Sequence, residues 1–407
     1  MYMMIRAIKG CRKAACLWGL LCLTLFLMVS APTALASVAG EAEDITALCE
    51  ISPRSPRHGL KSLFDRKYTT PWETGQKKNP YVQFTLPEGK TCASLYVCFG
   101  KMPSSWEVQT QEGEKWVTVA QGDTRYLHAY MELPNVKRLR IVALSEKKTS
   151  LLLNEVFLFG PGQVPDWVQK WQPTEEKADL LLLVAHPDDE LIYLGGTIPY
   201  YAVEQKRKVV VCYLTASNTT RSSELLNGLW DMGMHTYPVI GTFWDSYSST
   251  LKEAYQKWKK NQVRDYVVSL LRKYRPEVVV SHDIEGEYGH GAHRLCADAA
   301  IWSVENASKT DIYPESAAQY GVWDVKKLYL HLYPENQITM NWLNPSPALS
   351  ERTPLQAAQD AYDLHVTQHR TNFEVLDAGK YDNSLFGLVR TLVGPDEAKN
   401  DFLENIS

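Results

Sequence analysis

The stretch at 180–190, LLLLVAHPDDE, ends a run of aliphatic residues in a histidine, a proline and three consecutive acids. Histidine and carboxylate are side chains that hold divalent metals, and His186 with a carboxylate three residues on can face one point across a turn that Pro187 restricts. A second cluster, YGHGAH at 288–293, adds His290 and His293. Each cluster has an ordinary reading by itself. Asp188 or Asp189 could cap the helix that begins near Glu190, and either ring of a His-x-x-His pair could be solvated or sit in a core. Together they offer two histidines and a carboxylate, three ligands that leave one coordination position open for water. Closed structural zinc sites use four protein ligands, so the open count points to catalysis.

Two strands must carry these clusters. The five apolar residues from Leu180 to Val184 are too few for a helix and do not alternate, which suits a central parallel strand covered on both faces. A similar run at 277–281 also ends in ligand-type residues, His282 and Asp283. Ligands of open α/β sheets gather at the carboxyl ends of such strands. Strands and helices alternate onward: 180–185 and a helix through Tyr201, 209–215 and a helix at 221–234, 238–244 and a helix at 261–274, then 277–281. That pattern predicts a Rossmann-like α/β domain with a mainly parallel sheet. A helix at 292–304 sets His293 in its first turn. A later strand at 328–332 carries His331, which could approach the site or bond to backbone in the core. No glycine-rich phosphate loop occurs, so nucleotide binding has no support.

The motif AHPDDE, followed by YGHxxH, resembles the PIG-L/LmbE family of zinc-dependent N-acetylglucosaminyl deacetylases. Carried over residue by residue, the resemblance implies His186, Asp189 and His293 as metal ligands, zinc as cofactor and Asp188 as general base. It implies that His290 and Tyr288 polarise the amide carbonyl and handle protons. Arg221 and Glu224 match an Arg-x-x-Glu that opens a helix and helps bind substrate, and LHVTQ at 364–368 resembles a late His-x-Ser-Gln with Thr367 in place of serine. Many members read His-Pro-Asp-His where this chain reads His-Gly-Ala-His, a change in local charge without loss of a ligand. The ligand types alone also suit iron(II) oxygenases, although neither an all-β setting nor a keto-acid site accompanies them here.

The remaining chain sets the context. A net charge of -4 with no basic stripe argues against a nucleic-acid partner. The N-terminus carries Arg6, Lys9, Arg12 and Lys13, an apolar core at 15–29 and then Ala34-Leu35-Ala36, the layout of a secretory signal cleaved after Ala36. An uncleaved membrane anchor is the alternative. Either reading puts the protein outside the cytoplasm, secreted or at the cell surface. Cleavage would leave Cys49, Cys92, Cys98, Cys212 and Cys296, too few for a disulfide scaffold. Cys92 and Cys98 share a strand-like run that holds them roughly 20 Å apart, so any bridge would join Cys49 to one of them.

Short alternating runs at 81–86, 94–99, 106–119, 139–144 and 152–159, with a hairpin about Glu112-Gly113, predict an all-β sandwich. LFDRKYTTPW at 63–72 with NEVFLFG at 154–160 resembles discoidin, or F5/8 type C, domains, which are galactose-binding-like sandwiches that often hold sugars in loops. Trp72, Trp106 and Trp116 serve either its core or a sugar, and Trp244 has the same two readings in the second domain. The expected organisation is therefore a signal peptide at 1–36, a discoidin-like sandwich at 37–161, a linker at 162–178 and a deacetylase-like domain at 179–407. The family resemblance implies a secreted zinc deacetylase whose partner is an N-acetylated amino-sugar glycan or glycoconjugate. The alternative is a non-catalytic glycan-binding surface protein with an inactive domain.

Overall fold

The structure is a computed structural model that describes residues 40–53, 59–216 and 218–406, so the expected signal segment lies outside the described residues. The first nine strands are β1 (Glu50–Ser52), β2 (Trp72–Glu73), β3 (Tyr81–Thr85), β4 (Cys92–Lys101), β5 (Trp106–Glu112), β6 (Lys115–Gln121), β7 (His128–Val136), β8 (Arg138–Ala143) and β9 (Leu152–Phe159). They form a five-stranded sheet, β1-β3-β8-β5-β6, and a four-stranded sheet, β2-β9-β4-β7. Alternation explains the pairing of the two. Val82, Phe84, Val108 and Ile141 of the first sheet share one apolar cluster with Leu95, Val97, Phe99 and Leu153 of the second. Trp72 and Trp106 are fully buried in it, whereas Trp116 stays partly exposed beneath the guanidinium of Arg140, 3.7 Å from its ring centroid. All five cysteines among the described residues are free, so no bridge to Cys49 forms there.

The second set is β10 (Leu180–Val184), β11 (Val209–Tyr213), β12 (Val239–Ile240), β13 (Val278–Ser281), β14 (Lys327–His331), β15 (Gln337–Thr339) and β16 (Leu385–Thr391), in the order β12-β11-β10-β13-β14-β16-β15. The sheet is mixed. From β12 to β14 the pairs are parallel, while β16 and β15 add two antiparallel pairs at one edge. Helices α1 (Asp189–Ile192), α2 (Thr219–Asp231), α3 (Leu251–Lys257), α4 (Lys260–Tyr274), α5 (Gly291–Asn306), α6 (Pro314–Tyr320) and α7 (Pro354–Asp363) accompany it. Leu180, Leu182 and Val184 enter the apolar cluster that includes α2 and α7 residues. Leu181 and Leu183 enter the opposite one with α4 and α5 residues. A strand covered on both faces has no polar side, and so its sequence does not alternate.

Several local readings needed correction. The helix expected through Tyr201 is broken into α1 and a π-helical turn at Pro199–Glu204, because Gly195 with φ +50° and Pro199 interrupt the ladder. The strand expected at 238–244 is only the two residues of β12, and α3 precedes the expected α4.

The segment between the two β systems packs closely. The Trp171 ring lies 5.3 Å from Trp230 and 5.4 Å from Tyr237. His128 on β7 is fully buried where the sandwich meets α2. Its Nδ1–H donates to Gln169 Oε1 at 2.7 Å and its Nε2 accepts from Ser223 Oγ at 3.1 Å, so both nitrogens are satisfied in the neutral tautomer. Burial lowers its pKa from 6.5 to about 4. The unfolded chain therefore binds a proton that the folded chain refuses, and the stability this ring contributes is complete above pH 6.5 and lost as pH falls toward 4. Between pH 8 and pH 5 the ring should remove about 2 kcal/mol of stability. Denaturant unfolding of wild type and His128→Gln at both pH values measures this, and a variant as acid-sensitive as wild type would exclude it.

Candidate metal centre and active site

Adjacent parallel strands deliver the two clusters to one place. β10 and β13 pair in register with Leu183 opposite Ser281, so the chain leaves both strands at the same edge. From β10 it turns through His186 and Pro187 into Asp188, whose φ of +103° is a conformation that side chains seldom adopt. Such backbone costs on the order of 1–3 kcal/mol and persists where neighbours hold it. Here Glu190 Oε2 accepts the Asp188 amide at 3.0 Å, and Arg221 donates to both the Pro187 carbonyl and, at 2.9 Å, Asp188 Oδ1. From β13 the chain passes through a glycine-bearing loop into α5, where His290 is the N-cap and His293 lies in the first turn.

His186, Asp189 and His293, all buried, each bring one ligand atom to within 4.8 Å of the others. The sharpest feature is His293. Its Nδ1–H donates to Glu287 Oε2 at 2.6 Å, which leaves Nε2 as a lone pair. That buried Nε2 has no hydrogen bond, although it lies 3.3 Å from Asp189 Oδ1. Nitrogen and oxygen are thus close without pointing at each other, as two ligands of one cation would be. Asp189 Oδ2 accepts the His186 amide at 2.7 Å, which fixes the carboxylate. Burial would raise the Asp189 pKa, but the rings of His293, His282 and His186 hold it well below the carboxylate range. Burial would lower His186, but Asp189 and Asp245 raise it to about 9. The pocket is rich in buried anions, and the residues present fit a divalent metal.

A second group, His282, Glu287 and His293, is equally compact. Its carboxylate is already committed: Glu287 Oε1 accepts from His282 Nδ1 and from His331 Nδ1, each at 3.1 Å, while Oε2 takes His293. Glu287 therefore orients rings rather than offering an open position. His331 also meets the Asp382 carbonyl at 3.0 Å, so it both approaches the site and bonds to backbone. Asp283 stays in its own loop, with its amide on Glu287 Oε1 and its Oδ1 accepting from Glu285. Glu287 and Asp245 were not singled out from the sequence. Glu287 is one acid among three at 283–287, and Asp245, 3.5 Å from His186 Nε2, follows an unrelated strand.

The proposed reacting groups surround this centre. Asp188 is buried, which raises its pKa; Arg221 opposes the shift, and the outcome is about 7. A carboxylate of that acidity can take up and release a proton near neutral pH. His290 Nδ1 accepts the Ala292 amide at 3.1 Å, so the neutral ring carries its proton on Nε2. Burial, with the neighbouring histidines, lowers His290 to about 3 and keeps it neutral. Tyr288 is partly exposed, and burial and the charge of Asp189 raise its pKa and keep the hydroxyl protonated. Its ring lies 5.5 Å from His290 and 5.4 Å from His293. Trp244 is 80% exposed, which removes the core-packing reading. Glycine at 291 has its own use, since its amide donates to Ser248 O at 2.8 Å and a Cβ there would lie 2.5 Å from Ser248 Oγ. Proline could offer no such donor.

Residues 181–303 match the PIG-L family, described as GlcNAc-PI de-N-acetylase. The matched segment contains His186, Asp188, Asp189, Arg221, Tyr288, His290 and His293. A curated relative, the 1D-myo-inositol 2-acetamido-2-deoxy-alpha-D-glucopyranoside deacetylase 1 of Catenulispora acidiphila, is 29% identical over 185 residues, covering 39% of this chain and 56% of its own. The chain thus spans little more than half the length of that relative. Among solved structures, N,N'-diacetylchitobiose deacetylase from Pyrococcus horikoshii is 18% identical with a TM-score of 0.35, covering 47% of this chain and 71% of that one. An F5/8 type C domain from Bacteroides fragilis is 19% identical with a TM-score of 0.24, covering 30% of this chain and 97% of that one.

Glu287→Gln keeps shape but cannot accept from three rings as an anion. It should weaken zinc affinity by roughly 10- to 100-fold, the usual effect of losing a partner that orients a metal-ligating histidine. Chelator competition on the folded variant measures it, and unchanged affinity would show that the histidines are positioned without Glu287.

Proposed function

We propose that the chain is a zinc-dependent deacetylase that hydrolyses the N-acetyl group of an N-acetylglucosamine-type sugar in a glycan or glycoconjugate. The observation that carries this reading is the unpaired, buried His293 Nε2 converging with His186 and Asp189 beside Asp188, inside the segment that matches PIG-L. A metal held by His186, Asp189 and His293 would supply Lewis acidity toward the amide carbonyl and toward a water beside it.

The chain's own residues do the rest. Asp188 accepts the proton of the attacking water, held in place by Arg221 and by the Glu190 carboxylate on its amide. His290, with its proton on Nε2, and Tyr288 donate toward the amide oxygen as negative charge develops there. Asp188 then returns the proton to the nitrogen as the C–N bond breaks, leaving acetate and a free amine. Arg221 is largely occupied with Asp188 and the Pro187 carbonyl, and we assign it to substrate binding only through the order it imposes on that turn. Export to the cell exterior, with a sandwich at 37–161, a linker at 162–178 and a catalytic domain at 179–407, completes the reading. Its support is the N-terminal apolar run and the two separate β systems.

The two adjacent acids distinguish base from ligand. Asp188→Asn should keep zinc and substrate binding but lower turnover on chitooligosaccharides on the order of a hundredfold or more. Asp189→Asn should lose zinc itself, because an amide is a neutral and poorer ligand. Elemental analysis with an assay of released acetate tests both, and full turnover by Asp188→Asn would remove the proposed base. Zinc-loaded wild type that deacetylates none of a panel of N-acetylated glycans would favour the non-catalytic alternative.

A further inference from the structure

α2 has two working faces. Near its N-terminus Arg221 reaches Asp188, while Thr220, Glu224, Asn227 and Asp231, spaced by four, three and four residues, line a separate cleft of about 890 Å3 between the helix and the sandwich. That volume lies toward the upper end for ligand sites and exceeds what one sugar ring needs. Thr220 lines the cleft and the next residue, Arg221, reaches Asp188, so one end of α2 contributes to both. Thr367 lines the same cleft, its amide and hydroxyl donating to Glu224 at 2.8 and 2.6 Å.

The opposite wall comes from the sandwich and the segment after it. Tyr68 and Trp167 line it, both partly exposed, and the Arg66 guanidinium lies 4.3 Å from the Trp167 ring centroid. Tyr68 OH bonds Asn227 across the cleft at 3.2 Å, which ties the two walls together. Glu155 lines the cleft from β9 and is 1% exposed, and burial raises its pKa to about 8. At the other edge Val366 is 64% exposed. Aromatic faces and an open aliphatic side chain suit the C–H faces of pyranose rings, and the hydroxyl, amide and carboxyl groups of Thr220, Asn227 and Asp231 suit their hydroxyls.

We propose that this cleft binds further sugar units of the glycan whose acetamido ring lies at the metal centre, so that the protein acts on saccharide chains in preference to single sugars. The proposal rests on the deacetylase reading for the chain's direction but not for its binding. Titration calorimetry with the zinc-loaded protein would compare N-acetylglucosamine, chitohexaose and a hyaluronan hexasaccharide. Released acetate would be followed in parallel. We expect at least one hexasaccharide to bind at least tenfold more tightly than the monosaccharide. Trp167→Ala, which removes a face, and Val366→Trp, which fills the cleft from an exposed position, should each abolish that preference while leaving monosaccharide binding as it was. Equal affinity for both hexasaccharides and the monosaccharide, or a preference that survives in both folded variants, overturns the cleft. If the preference disappears in the variants but no acetate is released from any sugar, the cleft stands and the proposed reaction falls. If acetate is released equally well from the monosaccharide and both hexasaccharides, the reaction stands and the cleft falls.

Discussion

Buried negative charge is the constraint on which the centre depends. Asp189 and Glu287 are both withdrawn from water at the ends of β10 and β13, where an isolated carboxylate would neutralise itself by taking up a proton. Histidines prevent that. Ring nitrogens of His282, His293 and His331 donate to Glu287, and the amide and ring of His186 meet Asp189 Oδ2. The rings of His282 and His293 stack at 4.1 Å, so moving one would displace the other. The free nitrogen of His293 is therefore held in position by a network and not by its own rotamer alone. Networks of this kind are stable only when nearly every member is satisfied, and the exception, His293 Nε2, converges with His186 and Asp189.

The parallel sheet makes this network possible. Neighbouring parallel strands leave their carboxyl ends on one edge, and β10 and β13 are neighbours although a long stretch of chain separates them. The crossover between them supplies α2, whose Arg221 meets the strained turn at Asp188. Strain at Asp188 and the guanidinium beside it belong together: Arg221 holds the Pro187 carbonyl and the Asp188 carboxylate, and Glu190 holds the Asp188 amide. One acid of the adjacent pair thus joins the histidine cluster while the other pairs with Arg221.

The sandwich takes part in the same architecture through α2. Ser223 bonds His128, and Asn227 bonds Tyr68 and Gln169. These contacts are buried or partly buried and fully paired, which favours a fixed rather than a sliding junction. A helix bonded to the sandwich through Ser223 and Asn227 and to Asp188 through Arg221 gives a rigid wall to both.

The sequence by itself determined what is local. Five aliphatics without alternation suited a strand covered on both faces, the helix expected at 292–304 set His293 in its first turn, and the helix expected at 221–234 set Arg221 at its start. His186 and Asp189 were visible because they directly follow a strand, and His293 was picked out by its spacing from His290 and by the family resemblance. What the tertiary structure alone decided is non-local. Glu287 gains its role from rings at 282, 293 and 331, and no period or spacing in the chain distinguishes it from the acids around it. Asp245 arrives from the loop after β12, and the antiparallel edge of β16 and β15 pairs across the sheet with strands whose own sequences do not specify direction. The wall of the cleft joins residues near 68, 167, 227 and 366. Periodicity reports which face of an element is buried, but not which distant element will cover it, because that choice is made by packing and charge balance once the chain has folded.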